Sequence, residues 1–386
     1  MLAPLRILCV GNIYPPQAPG GGYEITWRSC VRHLRDHGHE VRILTTDHRE
    51  PGVDELDDDD VHRELHWYWR DHAFPRLGWR DVFRLERHNA GTFARHLDEL
   101  RPDAVCWWGM GGMSFGLIET ARRRGLPAVG VVGDEWMRWG PKADLWQRPF
   151  YSLPALAPAA ECATGLPARV DLAGAALWLF NSEAVQRASG TPPRSRIVHP
   201  GIDDQLFTEA PDHDWEWRLL YLGRMDPRKG VDIAVEALDH LPPEATLTLQ
   251  GSGDPAYVDS LRREPVRFTH EPRERLPEVY AAADVVLFPV QWEEPWGLVP
   301  LEAMAVGRPV VASGTGGSRE YLRHEENCLL YEPRDSAEGL AQAIARLAGD
   351  AELRARLRSG GLATAPRYTE RLYNEAIEAA LVEVVG

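Results

Sequence analysis

Two doubly wound α/β domains in series are the fold class this sequence predicts. Three observations predict it. Short, continuously apolar runs alternate with longer helical patterns along the chain. The alternation occurs in two successive series. The 386 residues also exceed the roughly 250–300 at which a single core stops growing. Strands that are apolar throughout, rather than on alternate positions, belong to parallel sheets covered by helices on both faces.

The first series contains strand candidates at "RILCVG" (6–11), "EVRILTT" (40–46), "AVCWWG" (104–109), "AVGVVGD" (128–134) and "LWLFNS" (177–182). Helical patterns lie between them, at 23–38 and 87–101. "GTPPRSRIVHPGIDDQLF" (190–207) has the Pro, Gly and polar content of a connection, which divides domains at 1–195 and 196–365. His199 lies in this join and reads as structural. The second series runs through "WRLLYLG" (217–223), "TLTLQG" (246–251), "VRFTH" (266–270), "DVVLFPV" (284–290), "PVVAS" (309–313) and "NCLLYE" (327–332). Its helices include 230–241 and 336–349. The tail 366–386 holds a helix over 368–385 with apolar positions at 3–4 spacing and no strand after it. Such a helix must pack on a domain already built.

Composition narrows the function. A net charge of −15 lacks the basic footprint that nucleic-acid affinity requires and disfavours anionic lipid. "FPRLGWRDVFRLERH" (74–88) mixes Arg with Trp and Phe and could form an amphipathic, membrane-touching helix, an alternative that the acidic net charge disfavours. Five scattered cysteines without zinc spacing predict reduced core thiols and a cytoplasmic protein. No leader or membrane-spanning run is expected. The acidic run Glu55–Asp60 reads as a solvated loop, since no histidine or second acidic cluster completes a metal site. Ten of the fourteen tryptophans precede the join. Trp107, Trp108, Trp136 and Trp139 fall near strand ends, where an aromatic face suits a ring-bearing acceptor, although packing explains most of them.

Three motifs carry chemistry. In "QWEEPWGLVPLEAMAVGRPVVAS", seven residues separate Glu294 from Glu302. Glu294 falls on the loop after a strand, and Gly297 and Leu298 open a helix that stops at Gly307. Free backbone N–H groups and the positive helix end then meet at the carboxyl edge of a parallel sheet, where a diphosphate fits. Glu302, one turn further in, can accept hydrogen bonds from hydroxyls; phosphate would repel both acids. Read singly, Glu302 is a helix-capping acid. In "LYLGRMDPRKG", Gly223 ends a strand and Arg224 and Lys229 follow on a short loop. Alone they are a solvated basic loop; beside the first motif they read as a pair for two phosphates. In "GNIYPPQAPGGGYEITW", Gly21 and Gly22 open a helix and can present N–H groups to an anion. The dinucleotide fingerprint spacing is missing.

Together these motifs resemble the retaining glycosyltransferases of family 4, over nearly the whole chain and most strongly in 217–320. "LGRMDPRKG", "AAADVVLFPV", "EPWGLVPLEAMAVGRPVVAS" and "GGSRE" follow each other in the family's order. The resemblance implies a GT-B architecture of two Rossmann-like domains facing across a cleft, with a nucleoside-diphosphate sugar as donor substrate and no cofactor. Arg224 and Lys229 would hold the diphosphate with the Gly297 and Leu298 backbone. Glu302 would take the ribose, Glu294 the donor sugar, and Gly21 and Gly22 would close from the other domain. The base would rest near 269–277, and the last helix would cross back to the first domain. Two cations facing the phosphates imply a metal-independent transfer to a small-molecule, glycan or glycolipid hydroxyl. One departure stands out: the family's His-Asp pair aligns with Gly133 and Asp134, so Asp134, Glu135 and Trp136 are what that loop offers. Rival readings are a GT-B phosphorylase or epimerase and a non-catalytic sugar-nucleotide-binding protein.

Overall fold

The computed structural model describes residues 3–17, 21–53, 57–69 and 75–386. It divides into two compact units, Met1–Val198 with Tyr373–Gly386, and His199–Leu372.

The first unit is built on seven parallel strands: β1 (Arg6–Val10), β2 (Glu40–Thr46), β3 (Val61–Leu65), β4 (Ala104–Trp107), β5 (Ala128–Val132), β6 (Leu177–Phe180) and β7 (Ser195–Ile197), in the order β3-β2-β1-β4-β5-β6-β7. Side chains alternate across a strand, so each apolar run feeds two cores. Leu8, Val10, Leu44, Val105, Trp107, Trp178 and Phe180 face one side and meet Phe93 and Leu97 of α2 (Trp79–Leu100). Ile7, Cys9, Ile43, Cys106, Val129 and Leu179 face the other and meet Trp27, Val31 and Leu34 of α1 (Gly22–Asp36). Tyr373, Ile377, Ala380 and Leu381 of the final helix join that second core.

Two strands have no counterpart in the sequence reading. The β3 segment "VHREL" is polar because it is a sheet edge, and Arg63 on it hydrogen-bonds Asp57 at 2.5 Å. Ser195–Ile197 lies inside the expected connection but pairs with β6, so the first unit runs to Val198. The acidic run is also tied down rather than loose: Asp57 meets Arg63 and Arg49, and Asp58 meets Arg28 and Tyr14. Glu55 and Leu56 lie outside the described residues. Phe74 does too, and the helix of the 74–88 segment begins at Trp79. Val82 and Glu86 of that helix are buried in the protein, which removes the membrane-facing stripe and leaves Leu77 and Trp79 exposed. Among the described residues no helix is long and apolar enough to cross a membrane. Cys9, Cys30, Cys106 and Cys328 are buried thiols, whereas Cys162 is exposed.

The second unit carries β8 (Arg218–Leu222), β9 (Thr246–Gln250), β10 (Val266–Thr269), β11 (Val285–Phe288), β12 (Val310–Ala312) and β13 (Leu329–Leu330), parallel in the order β10-β9-β8-β11-β12-β13. Leu219, Tyr221, Leu247, Leu249, Val285 and Leu287 face one core. Leu220, Val286, Phe288, Val310 and Ala312 face the other. His199 stacks on Trp296, with ring centroids 4.3 Å apart, as a structural residue of this unit. In both sheets the strand order reverses beside the first strand, between β1 and β4 and between β8 and β11. Open α/β sheets bind ligands at the carboxyl ends of strands at such a reversal.

Candidate active site

The reversal in the second unit gathers most of the sequence-predicted residues. The loops leaving β8 and β11 are laced together there. The Gln291 amide donates to the Arg228 carbonyl at 2.8 Å. Gly230, at φ +67°, starts α3 (Val231–Glu236) against the Pro289 carbonyl, which a Cβ would strike. This lacing brings Lys229 to Glu294: Nζ lies 2.6 Å from Oε2. The same oxygen accepts the Trp292 indole N–H at 2.8 Å. The Lys229 ammonium also lies 5.2 Å from the Trp292 ring centroid, within cation–π range. Glu294 is 7% exposed, so its charge depends on these partners.

Arg224 projects into solvent, and no described residue hydrogen-bonds or ion-pairs with its side chain. Asp226 feels it only as a nearby charge. The Arg228 guanidinium bonds both Asp226 oxygens and holds that carboxyl down at about 2. Arg228 is thus tied to Asp226 and Lys229 to Glu294, and Arg224 is the cation at the end of β8 with no hydrogen-bonded partner among the described residues. Gly223 adopts φ +136°, and its carbonyl packs where a Cβ on Gly251 would sit.

After β11 the chain turns at Gly297, whose φ is +85°. A Cβ there would come 2.7 Å from the Phe288 ring. Tyr321 Oη donates to the Gly297 carbonyl at 2.6 Å, which aims that peptide. Leu298 then starts α4 (Val299–Val306) with no side-chain cap, and Pro300 in the first turn lacks an N–H that would be orphaned there. Glu302 is 5% exposed. Its Oε2 accepts from Tyr280 Oη at 2.6 Å, and Arg273 Nη1 lies 3.8 Å from Oε1. Burial pushes this carboxyl above the ordinary glutamate range; Arg273 and Tyr280 pull the other way and only partly offset it.

In the first unit Gly21 precedes α1, which begins at Gly22 without a side-chain cap. The preceding residues 18–20, including Gly20 of the glycine run, lie outside the described residues. Asp134 is exposed, and its Oδ1 accepts the Trp136 amide at 2.7 Å, at the start of the helix Trp136–Ala143. Trp107, Trp108 and Trp136 are at most 1% exposed. They are core residues, in line with the expectation that packing explains most of these tryptophans, and they offer no face to an acceptor. Trp139 is half-buried against Trp69 and Gly111.

Two family models cover most of the chain: "Glycosyl transferase 4-like domain" matches residues 21–191 and "Glycosyl transferases group 1" matches residues 216–350. The chain belongs to glycosyltransferase family 4. Among its relatives is the D-inositol 3-phosphate glycosyltransferase of Xylanimonas cellulosilytica, 35% identical over 45% of this chain and 48% of that protein. The enzyme of the same name from Acidothermus cellulolyticus is 33% identical over 50% of this chain and 48% of that protein. The chain thus spans about half the length of the curated relatives it matches. In fold it is similar to sucrose-phosphate synthase of Thermosynechococcus elongatus (TM-score 0.71, 20% identity, 97% of this chain, 98% of that one). It is also similar to Anabaena HepE in complex with UDP (TM-score 0.69, 21% identity, 98% and 100%). These are GT-B proteins, and GT-B is the fold of this chain.

The family-4 frame gives the missing histidine a physical cause. Any side chain at Gly133 would run into the ring of Tyr23, whose hydroxyl donates to the Val131 carbonyl at 2.7 Å. The space beside Asp134 is therefore filled from α1. Sequence reasoning missed Tyr23, Trp292, Tyr280, Arg273 and Tyr321. Trp292 alone left a local signal, two residues before Glu294; the others lie 22 or more positions from the residues they hold.

Proposed function

We propose that this chain is a retaining glycosyltransferase that moves a sugar from a nucleoside-diphosphate sugar to an acceptor hydroxyl without a metal ion. The observation that carries the proposal is the cradle at the β8/β11 reversal: Lys229 paired with buried Glu294, beside unpartnered Arg224 and the uncapped start of α4. The second unit would bind the donor and the first unit the acceptor; Gly21 and Gly22 keep their expected donor-binding role and Asp134 its expected catalytic one. UDP in the HepE structure supports a nucleotide ligand, and the names of the curated relatives support glycosyl transfer.

In this reading the diphosphate meets Arg224, the Lys229 ammonium and the Gly297–Leu298 backbone. An ammonium has three N–H donors, so Lys229 can serve a phosphate oxygen and Glu294 together. Glu294 accepts from donor-sugar hydroxyls, and Glu302, held by Tyr280, accepts from the ribose. The bond from the anomeric carbon to the diphosphate oxygen breaks while the acceptor oxygen bonds the same face of that carbon. The acceptor proton passes to the departing phosphate oxygen. Fixed positive charge at that oxygen is the kind of preorganised electrostatic stabilisation that supplies the largest catalytic term.

The test is a thermal-shift panel of nucleoside diphosphates, followed by turnover of the best donor with chelator present. A saturable diphosphate shift and chelator-resistant, acceptor-dependent diphosphate release are expected. Donor binding without transfer to any acceptor would favour a non-catalytic binding protein, and chelator-sensitive turnover would refute metal independence.

A further inference from the structure

The end of α1 holds a cluster of histidines around one carboxylate, with none of the residues assigned to glycosyl transfer in it. His33 sits in the last turn of α1, His37 is its C-terminal cap, and both turn toward Glu378 of the final helix (Glu370–Val385). His33 Nε2 lies 2.9 Å and His37 Nδ1 2.7 Å from the same oxygen, Glu378 Oε2. All three atoms fall within 4.8 Å of one another.

The other carboxylate oxygen is held separately. The Leu5 amide donates to His39 Nδ1 at 3.0 Å, so in the neutral ring the proton sits on Nε2. That nitrogen lies 3.1 Å from Glu378 Oε1 and donates to it. His39 is 6% exposed, so this arrangement is fixed inside the protein. A buried donor orienting one oxygen of a carboxylate while the other faces two imidazoles is how outer hydrogen bonds prepare metal ligands.

We infer that His33 Nε2, His37 Nδ1 and Glu378 Oε2 form a binding site for a borderline divalent transition ion, zinc above all. Imidazole and carboxylate are the donors zinc takes, and histidines four apart on one helix face supply two of them. Metal–ligand bonds of about 2.0–2.1 Å at tetrahedral angles separate ligand atoms by about 3.3 Å. The two N···O distances, 2.9 and 2.7 Å, need to open by about half an ångström. The electrostatics agree: the negative end of a helix dipole favours a cation at its last turn. His37 is half exposed, with 48% of its side chain accessible, which gives an ion a way in and leaves a position for water. The bound ion cross-links α1 to the final helix inside the first unit.

A second histidine–carboxylate group, His62, Glu64 and His96, is a poorer ligand set. The Arg95 guanidinium already occupies Glu64, and Asp60 takes His62 Nε2 at 2.7 Å. It serves as the internal control.

The test uses the full, tag-free chain after chelator treatment, titrated calorimetrically with zinc and, separately, with cobalt for its visible spectrum. One equivalent of zinc should bind at micromolar or tighter affinity and raise Tm. His37→Gln, at the exposed helix end, should abolish that equivalent and the Tm shift. His39→Gln should weaken binding about 10–100-fold, and His62→Gln should change nothing. No saturable zinc binding in the parent chain overturns the proposal. So does an unchanged equivalent in His37→Gln, or its loss in His62→Gln. Binding is read directly, so the result stands apart from any glycosyl-transfer assay.

Discussion

Replacing Lys229 by Met separates two roles that the structure superimposes on one ammonium. Lys229 holds Glu294 at 2.6 Å, with the lysine side chain 26% and the glutamate side chain 9% exposed. Breaking a fully buried pair by removing one partner costs about 3–5 kcal/mol, whereas exposed pairs are worth about 0.2–1 kcal/mol. Lys229 is a quarter exposed, and the Trp292 N–H stays on the abandoned carboxylate. An intermediate loss of about 1–3 kcal/mol follows. At about 2–4 °C per kcal/mol for a domain of this size, Tm should fall by about 2–12 °C. Adding Glu294→Gln removes the stranded charge while leaving an acceptor for Trp292, so Lys229→Met/Glu294→Gln should recover most of that loss. Turnover should not recover. Loss of a fixed cation at the departing diphosphate costs about 10²–10³ in rate. The assays are differential scanning fluorimetry and acceptor-dependent diphosphate release on the single and double variants. A double variant that regains stability and turnover together would refute the phosphate role, leaving Lys229 only a partner for Glu294. A single variant with unchanged Tm would refute the ion-pair energetics.

Three further outcomes are expected. Burial raises the Glu302 carboxyl above its ordinary value, so between that value and the raised one the folded state holds more protons than the unfolded chain. Stability should therefore fall as pH climbs through this window, and Glu302→Gln should lack the fall; parallel Tm–pH curves for the two proteins would rule it out. Gly297→Ala forces a side chain onto φ +85° against Phe288, at about 1–2 kcal/mol for the backbone and about 1–3 kcal/mol for overpacking. Denaturant unfolding should show a loss of about 2–5 kcal/mol, and a change below about 1 kcal/mol would contradict the crowding seen at this turn. Gly133→Ala should be destabilised by about 1–3 kcal/mol through its clash with Tyr23. Adding Tyr23→Ala should make the Gly133 substitution nearly free in a double-mutant cycle; equal costs in both backgrounds would show that Tyr23 is not what bars a side chain there.

Much of the fold was legible because parallel strands covered on both faces leave a continuous apolar signature. All eleven expected strands exist; Glu40–Thr46 keeps its expected ends and the other ten are trimmed by a residue or more. The two that escaped, Val61–Leu65 and Ser195–Ile197, are edge strands. Half their surroundings are solvent or ion pairs, so "VHREL" and "SRI" carry no apolar run. Trp107, Trp108 and Trp136 are among the packing residues, which the sequence could not single out. A tryptophan at a strand end looks alike in sequence whether its ring turns inward to a core or outward to a ligand.

By itself the sequence determined the two series of strands and helices, the loops that follow β8 and β11, and the residue types those loops carry. Local pattern suffices for these because apolar periodicity, glycine and proline act within a few residues. Only the tertiary structure decided who meets whom. It brought Lys229 onto Glu294 across 65 positions of chain and Tyr280 onto Glu302 across 22. It put Tyr23 where a side chain at 133 would stand, and it joined three histidines of the α1 end to Glu378 more than 330 residues away. Hydrogen bonds and ion pairs reach only about 3 Å, so their partners are set by how the sheet and its helices pack, which no local stretch of sequence records.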